Sequence, residues 1–323
     1  MAFPGPVDDL TCDVVHGVTL MQRVLSYILF PLIFVGAIAS AMGGLAAGVH
    51  RDVLIGAIGV AVALMVAVFE RVLPEHPRWN QSHGDTQTDC IHLLVSMLMI
   101  PKALDLVMQM TLLSVAVWLT AHIGQDLWPK DWPLLAQLIP ALLISQFGEY
   151  WAHRAMHEIP FFWRFHAVHH SPERLYWLNA ARFHPVDTAI LLVIGMAPLI
   201  ILGAGPDVLL LFTVWISTHG MFQHCNIRVR LGPLNYLFSM AELHRWHHAL
   251  EPEQSNANYG NNILFWDLVF GTVYYPKDRR APAKIGLRGG ADFPRSYGAQ
   301  ILAPWRLKPI EESRPPTPKS PES

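Results

Sequence analysis

Two stretches of this chain, 24–49 and 53–69, carry no charged side chain, and only His50, Arg51 and Asp52 separate them. About 20 apolar residues suffice for a helix to cross the hydrocarbon core of a bilayer. In lipid the backbone must satisfy its own polar groups, which a helix does within one segment. The pair therefore reads as a membrane-spanning helical hairpin. Further apolar runs follow at 90–124, broken by Lys102 and Asp105 with a clean part at 106–123, and then at 134–151, 185–205 and 208–222. The last two are short enough to be re-entrant or tilted. Only 15% of residues are charged, against ~25% in soluble domains. Six such runs in so uncharged a chain predict an all-α, polytopic membrane protein rather than a soluble one with buried helices. A net charge of −2 argues against a nucleic-acid binder, which would show a basic surplus.

The first apolar run is about twice as long as a signal-peptide core, and Asp8, Asp9 and Asp13 precede it where a basic region would stand. It reads as an anchor that is retained. Cys12, Cys90 and Cys225 are too far apart for a metal or disulfide motif. Counting basic residues at segment ends places the N-terminus in the cytoplasm. The outer connections, 50–52, 124–133 and 203–207, then hold only Arg51 and Lys130. The inner side holds Arg23, Arg71, Arg78, Lys102, Arg154, Arg164, Arg174, Arg182, Arg228, Arg230 and Arg245. The tail 313–323, rich in Pro, Ser and charge, is expected to be disordered.

Eleven of the 17 histidines fall between His153 and His248, under a third of the chain. Their spacing is more informative than their number. His153 and His157 are four apart. His166, His169 and His170 form an HxxHH box, as do His244, His247 and His248, and His219 and His224 are five apart. Residues at i and i+3 or i+4 share a helix face, so each box can aim two or three imidazoles at a common centre, in an arrangement able to bridge two metals. Eight imidazoles buried together without a metal would leave many ring nitrogens unpaired. Imidazole suits Zn, Cu, Fe or Ni, so ligand type does not name the metal. The isolated His16, His50, His76, His83, His92 and His122 read as loop or interfacial residues. Glu149, Asp187, Glu242 and Asp267 flank the boxes, placed to accept from imidazole N–H and fix its tautomer. His184 and Asn258 are further candidates at the site. No Glu-x-x-His pair, GxSxG elbow, P-loop or HExxH occurs.

The runs EYWAHRAMH (149–157), FHAVHHS (165–171) and HRWHH (244–248) resemble the fatty acid hydroxylase superfamily, which includes sterol desaturases, sterol methyl oxidases and alkylglycerol monooxygenase. FQHCN (222–226), NYGNN (258–262) and WDLVFGT (266–272) extend the resemblance across about 140–275. It implies a four-helix membrane core under a cytoplasmic, histidine-rich cap over a di-metal site. It also implies two Fe ions held almost entirely by histidine (Zn can replace them on purification) and O2-dependent hydroxylation or desaturation of a membrane lipid. The histidines of the boxes, with His219 and His224, would be the ligands. No flavin, nicotinamide or fused cytochrome b5 motif is present. An external electron donor, a ferredoxin or a cytochrome b5/reductase-type protein, is therefore expected. Arg228 and Arg230 could dock it, or serve only as positive-inside anchors.

The expected organisation is an N-terminal segment 1–23, an extra hairpin 24–73 that the motifs do not explain, a catalytic domain 90–280, an extension 281–312 and the tail. A bacterial inner membrane is the expected location. Three rivals to a lipid hydroxylase stand open on sequence: a desaturase on the same scaffold, a histidine-rich metal carrier, and an inactive zinc-bound scaffold. A carrier would put ionisable residues near the bilayer midplane, whereas here the boxes sit at segment ends.

Overall fold

The computed structural model describes residues 19–124 and 127–306; the tail 313–323 lies outside them. The described residues form helices joined by short turns, with no β-strand beyond three isolated bridges. α1 (Leu20–Ala46) starts at a capping box, in which Gln22 N donates to Thr19 Oγ1 and Thr19 N to Gln22 Oε1. α2 (Arg51–Val72) is capped by His50, whose Nδ1 accepts from Asp52 N. The turn between them is tight because Gly44 leaves room for Leu54; a Cβ there would stand 2.2 Å from Leu54 Cδ2. α3 (Thr86–Ile123) is continuous over 38 residues, with a π-helical segment at Leu93–Met99. Among the described residues α1, α2 and α3 are the helices long and apolar enough to cross a membrane. Large apolar side chains such as Leu32, Leu64, Met110 and Val117 project from them unburied, as a lipid-facing belt requires.

α4 (Leu134–Glu158), α6 (Pro185–Ile201) and α7 (Pro206–His224) complete the bundle. α4 and α6 approach closely through Gly148 and Gly195, where Cβ atoms would meet Ile194 Cγ2 at 2.6 Å and Glu149 Oε1 at 2.5 Å. Small residues at such crossings let membrane helices pack backbone to backbone. Above the bundle lie α5 (Pro160–His170), α8 (Ala241–His247), α9 (Phe265–Phe270) and α10 (Tyr297–Arg306). α10 is tied down by Gln300 Oε1 on His92 Nε2 and by Arg164 donating to the Pro304 carbonyl.

The hairpin is integral to this assembly. Glu70, near the end of α2, accepts from the backbone N–H of both Asn226 and Trp177, and Asn226 accepts from His76 N. Lys102 lies on the opposite side from the one the count of basic residues assigns it: it pairs with Asp52 at the hairpin turn, 3.3 Å away. Arg51 in that turn also reaches Asp207 at the start of α7, so the turn marks the end of the bundle remote from the boxes. The length of α3 is the reason: sixteen residues past its start it has already climbed to that level, and its charge there is positive.

Candidate metal centre

α4 ends at the level where the cap begins, and its last two turns carry His153 and His157 inward. A break at Ile159, extended, with Pro160 at the first helical position, redirects the chain into α5. α5 then lays His166, His169 and His170 across the α4 histidines. α7 supplies His224 from its last turn, and α8 brings His244, His247 and, at its C-cap, His248.

These side chains collect into two groups: His153, His157, His166, His170 and His247, and then His169, His224, His244 and His248. Within each group the candidate ligand atoms lie within 4.8 Å of one another, and all nine residues are buried. Each HxxHH box is divided between them. His166 and His170, four apart, enter the first group while His169 enters the second. His244 and His248, four apart, enter the second while His247 enters the first. The i,i+4 pairs stay together because they share a face one turn apart, and the i+3 histidine points to the neighbour. The two groups touch: the rings of His170 and His248 stack with centroids 4.3 Å apart.

Hydrogen bonds fix the tautomers. Nδ1 of His153 bonds the Tyr259 carbonyl at 2.7 Å, that of His166 bonds Asp187 Oδ2 at 2.8 Å, and that of His247 bonds the Ala257 carbonyl at 2.8 Å. His169 uses the Arg182 carbonyl, His224 the Asn179 side-chain oxygen, and His157 that of Asn256. Each such ring carries its proton on Nδ1 and presents Nε2 as a bare lone pair towards the centre. Nε2 of His157, His170 and His247 has no hydrogen-bond partner. Burial, and then the neighbouring imidazoles, hold His169, His170, His244 and His248 well below the usual histidine range, and burial takes His247 down to about 3. The rings are therefore neutral near pH 7, as metal ligation requires. Two buried, all-imidazole sets of converging ring nitrogens fit a pair of transition-metal ions.

The other sequence candidates are placed differently. His219 lies outside both groups, fully buried among Phe30 and Phe238, with neither ring nitrogen hydrogen-bonded. His184 caps α6, accepting from Val186 N, and its Nε2 bonds the Ile301 carbonyl. Of the four acids, Asp187 touches a clustered histidine. Glu149 accepts from Ser145, Gln146 and Asn261, and Glu242 accepts from Leu231 N and Asn235. Asp267 accepts from Tyr259 N, Gly260 N and Thr272, so it steadies the loop whose carbonyl holds His153. Asn258, with φ at 54°, bonds the Leu243 and Tyr274 carbonyls and pins that loop to α8. Asn179 and Asn256 are not among the sequence candidates, although Asn256 lies two residues before the NYGNN run, and the carbonyls of Tyr259, Ala257 and Arg182 are backbone groups that no side-chain pattern selects.

The fatty acid hydroxylase family profile matches residues 138–272, the stretch that holds both groups. An ornithine lipid hydroxylase of Rhizobium tropici is 33% identical over 294 residues, covering 90% of this chain and 87% of its own length. That match leaves only a tenth of the chain outside, so it takes in at least part of the N-terminal hairpin. Alkylglycerol monooxygenase of Homo sapiens is 28% identical over 49% of this chain, and methylsterol monooxygenase 1 of Rattus norvegicus 29% over 49%. The chain spans 34% and 56% of those two proteins. No solved structure matches it.

Proposed function

Because this chain belongs to the fatty acid hydroxylase family, we propose that it is a membrane-embedded di-iron oxygenase that hydroxylates a lipid with O2. The observation that carries this reading is the pair of buried histidine groups with their ring nitrogens converging, three of the Nε2 atoms of the first group being unpaired. His153, His157, His166, His170 and His247 would hold one iron, and His169, His224, His244 and His248 the other. Bound iron would supply the activation of O2 that an unactivated C–H bond needs. The chain supplies the rest. Imidazoles resist oxidation better than thiolates, the Nδ1 acceptors fix ring orientation, and burial excludes water from the reaction. An acyl lipid can reach the site from the bilayer without passing through water.

An ornithine-type lipid is the first substrate to test, given the relative similar over most of its length. The histidine face is assigned to the cytoplasm and the protein to a bacterial inner membrane, with electrons arriving from a separate ferredoxin or cytochrome b5/reductase-type protein. High-resolution lipid mass spectrometry on cells making the wild type or a His247→Ala/His248→Ala pair tests the reading. A histidine-dependent gain of one oxygen supports hydroxylation. A loss of two hydrogens would replace it with desaturation, and identical lipids in a host supplied with ornithine lipid and a reductase system would reject it.

A further inference from the structure

Hydroxylating a C–H bond with O2 puts one oxygen atom into the lipid and releases the other as water. The balance requires two electrons and two protons that neither reactant supplies. Where those electrons cross into the protein depends on the surface nearest the histidine groups. The sequence pointed to Arg228 and Arg230, but Arg230 Nη2 lies 3.0 Å from both carboxylate oxygens of Glu75, and Arg228 reaches the same carboxylate at 3.7 Å. Their charge is largely spent within the fold. A further cluster of positive charge lies on 277–284, where Arg279, Arg280 and Lys284 are exposed, Lys277 is half-buried and Asp278 is the one acid within the segment.

This segment is built over aromatic rings. The Lys277 ammonium stands 3.6 Å from the Tyr275 ring centre and 4.9 Å from that of Tyr236. The Arg279 guanidinium lies 5.7 Å from the Trp246 ring centre and donates to Tyr274 Oη at 2.9 Å. Tyr274 in turn packs edge-on against Trp246, with centroids 5.2 Å apart. Trp246 is a buried residue of α8 between His244 and His247, which belong to different histidine groups. One indole thus connects a basic surface to both groups through a few bonds of a single helix.

We propose that Lys277, set over Tyr275, and Arg279, set over Trp246, form the docking surface for an acidic one-electron carrier protein, with Trp246 conducting electrons to the histidine groups. This rests on the oxygenase reading above. An anionic lipid headgroup would also favour Lys and Arg. The arrangement favours the carrier because Arg279 lies over the indole that leads to the histidines, with Lys277 two residues away. Opposite charge steers such an encounter and makes it sensitive to salt.

The test uses the metal-loaded enzyme in neutral-lipid nanodiscs, with an acidic [2Fe–2S] ferredoxin as probe and no lipid substrate, so it does not depend on which lipid is hydroxylated. Wild type should bind the ferredoxin at low salt and release it at high salt. Lys277→Glu with Arg279→Glu should weaken binding about tenfold or more at unchanged metal content and melting temperature, while Lys277→Arg keeps it. Trp246→Phe should leave affinity unchanged and slow electron transfer from reduced ferredoxin in stopped flow. The proposal is overturned if wild type does not bind, or if charge reversal leaves affinity within about twofold. It is equally overturned if the reversal abolishes binding to phosphatidylglycerol vesicles but not to ferredoxin. An unchanged transfer rate in Trp246→Phe would remove the conduction role.

Discussion

Nε2 of His153 stands 3.0 Å from Nε2 of His166, although each ring already donates through Nδ1, to the Tyr259 carbonyl and to Asp187. Neither Nε2 therefore carries a hydrogen, and two lone pairs face each other across a distance that suits a shared cation, not a hydrogen bond. Nε2 of His224 and of His244 also approach to 2.9 Å, but there Nδ1 of His244 has no partner, so the His244 proton is free to sit on Nε2 and donate to His224.

If each group holds its own ion, single substitutions should separate them. His247→Ala and His244→Ala should each reduce bound metal, measured by elemental analysis, towards half of the wild-type content. Full metal content in both variants would sink the two-site arrangement.

His219 should not matter for metal. It sits outside both groups with both ring nitrogens unpaired among aromatic rings, a burial that costs about 1–3 kcal/mol per unsatisfied group. His219→Phe is expected to retain its metal and to melt no lower than wild type. A loss of metal would make His219 a ligand.

Asp187 holds the His166 ring through a contact buried on both sides. Removing such a partner lowers metal affinity 10–100-fold in other sites. Asp187→Ala should therefore surrender metal to a chelator about tenfold faster or more; an unchanged release rate would show that packing alone orients His166.

Glu75 links the hairpin to the cap through Arg230, and its carboxyl lies below the ordinary value of 4.5, at about 2. A depressed carboxyl pKa means the unfolded chain binds more protons, so the stabilisation is present above 4.5 and is lost as pH falls towards 2. Glu75→Gln should flatten that acid limb in melting curves between these pH values. An acid limb identical to wild type would place the loss elsewhere.

Gly148 faces Ile194, and a Cβ there would meet Ile194 Cγ2 at 2.6 Å and its carbonyl at 3.2 Å. Overpacking of this kind costs about 1–3 kcal/mol. Gly148→Ala should lower the melting temperature in detergent; an unchanged value would mean that α4 and α6 can separate slightly without loss.

The sequence by itself determined that the chain is helical, that its first helices meet lipid, and that its chemistry resides in histidines. Charge-free runs longer than a bilayer and histidines at i and i+4 spacing are local properties, readable one helix at a time. The family could be recognised for the same reason, since order and spacing of the boxes survive in one dimension. What the sequence left open is what depends on separate helices meeting. The division of each HxxHH box between two groups depends on how α5 and α8 cross α4 and α7. Half of the six acceptors on Nδ1 are backbone carbonyls, which every residue possesses and only proximity selects. His219 and His224 lie five residues apart on one helix, yet one faces Phe30 and Phe238 while the other joins the centre. Five residues turn a helix well past the shared face, and only the packed tertiary structure decides which side meets the centre.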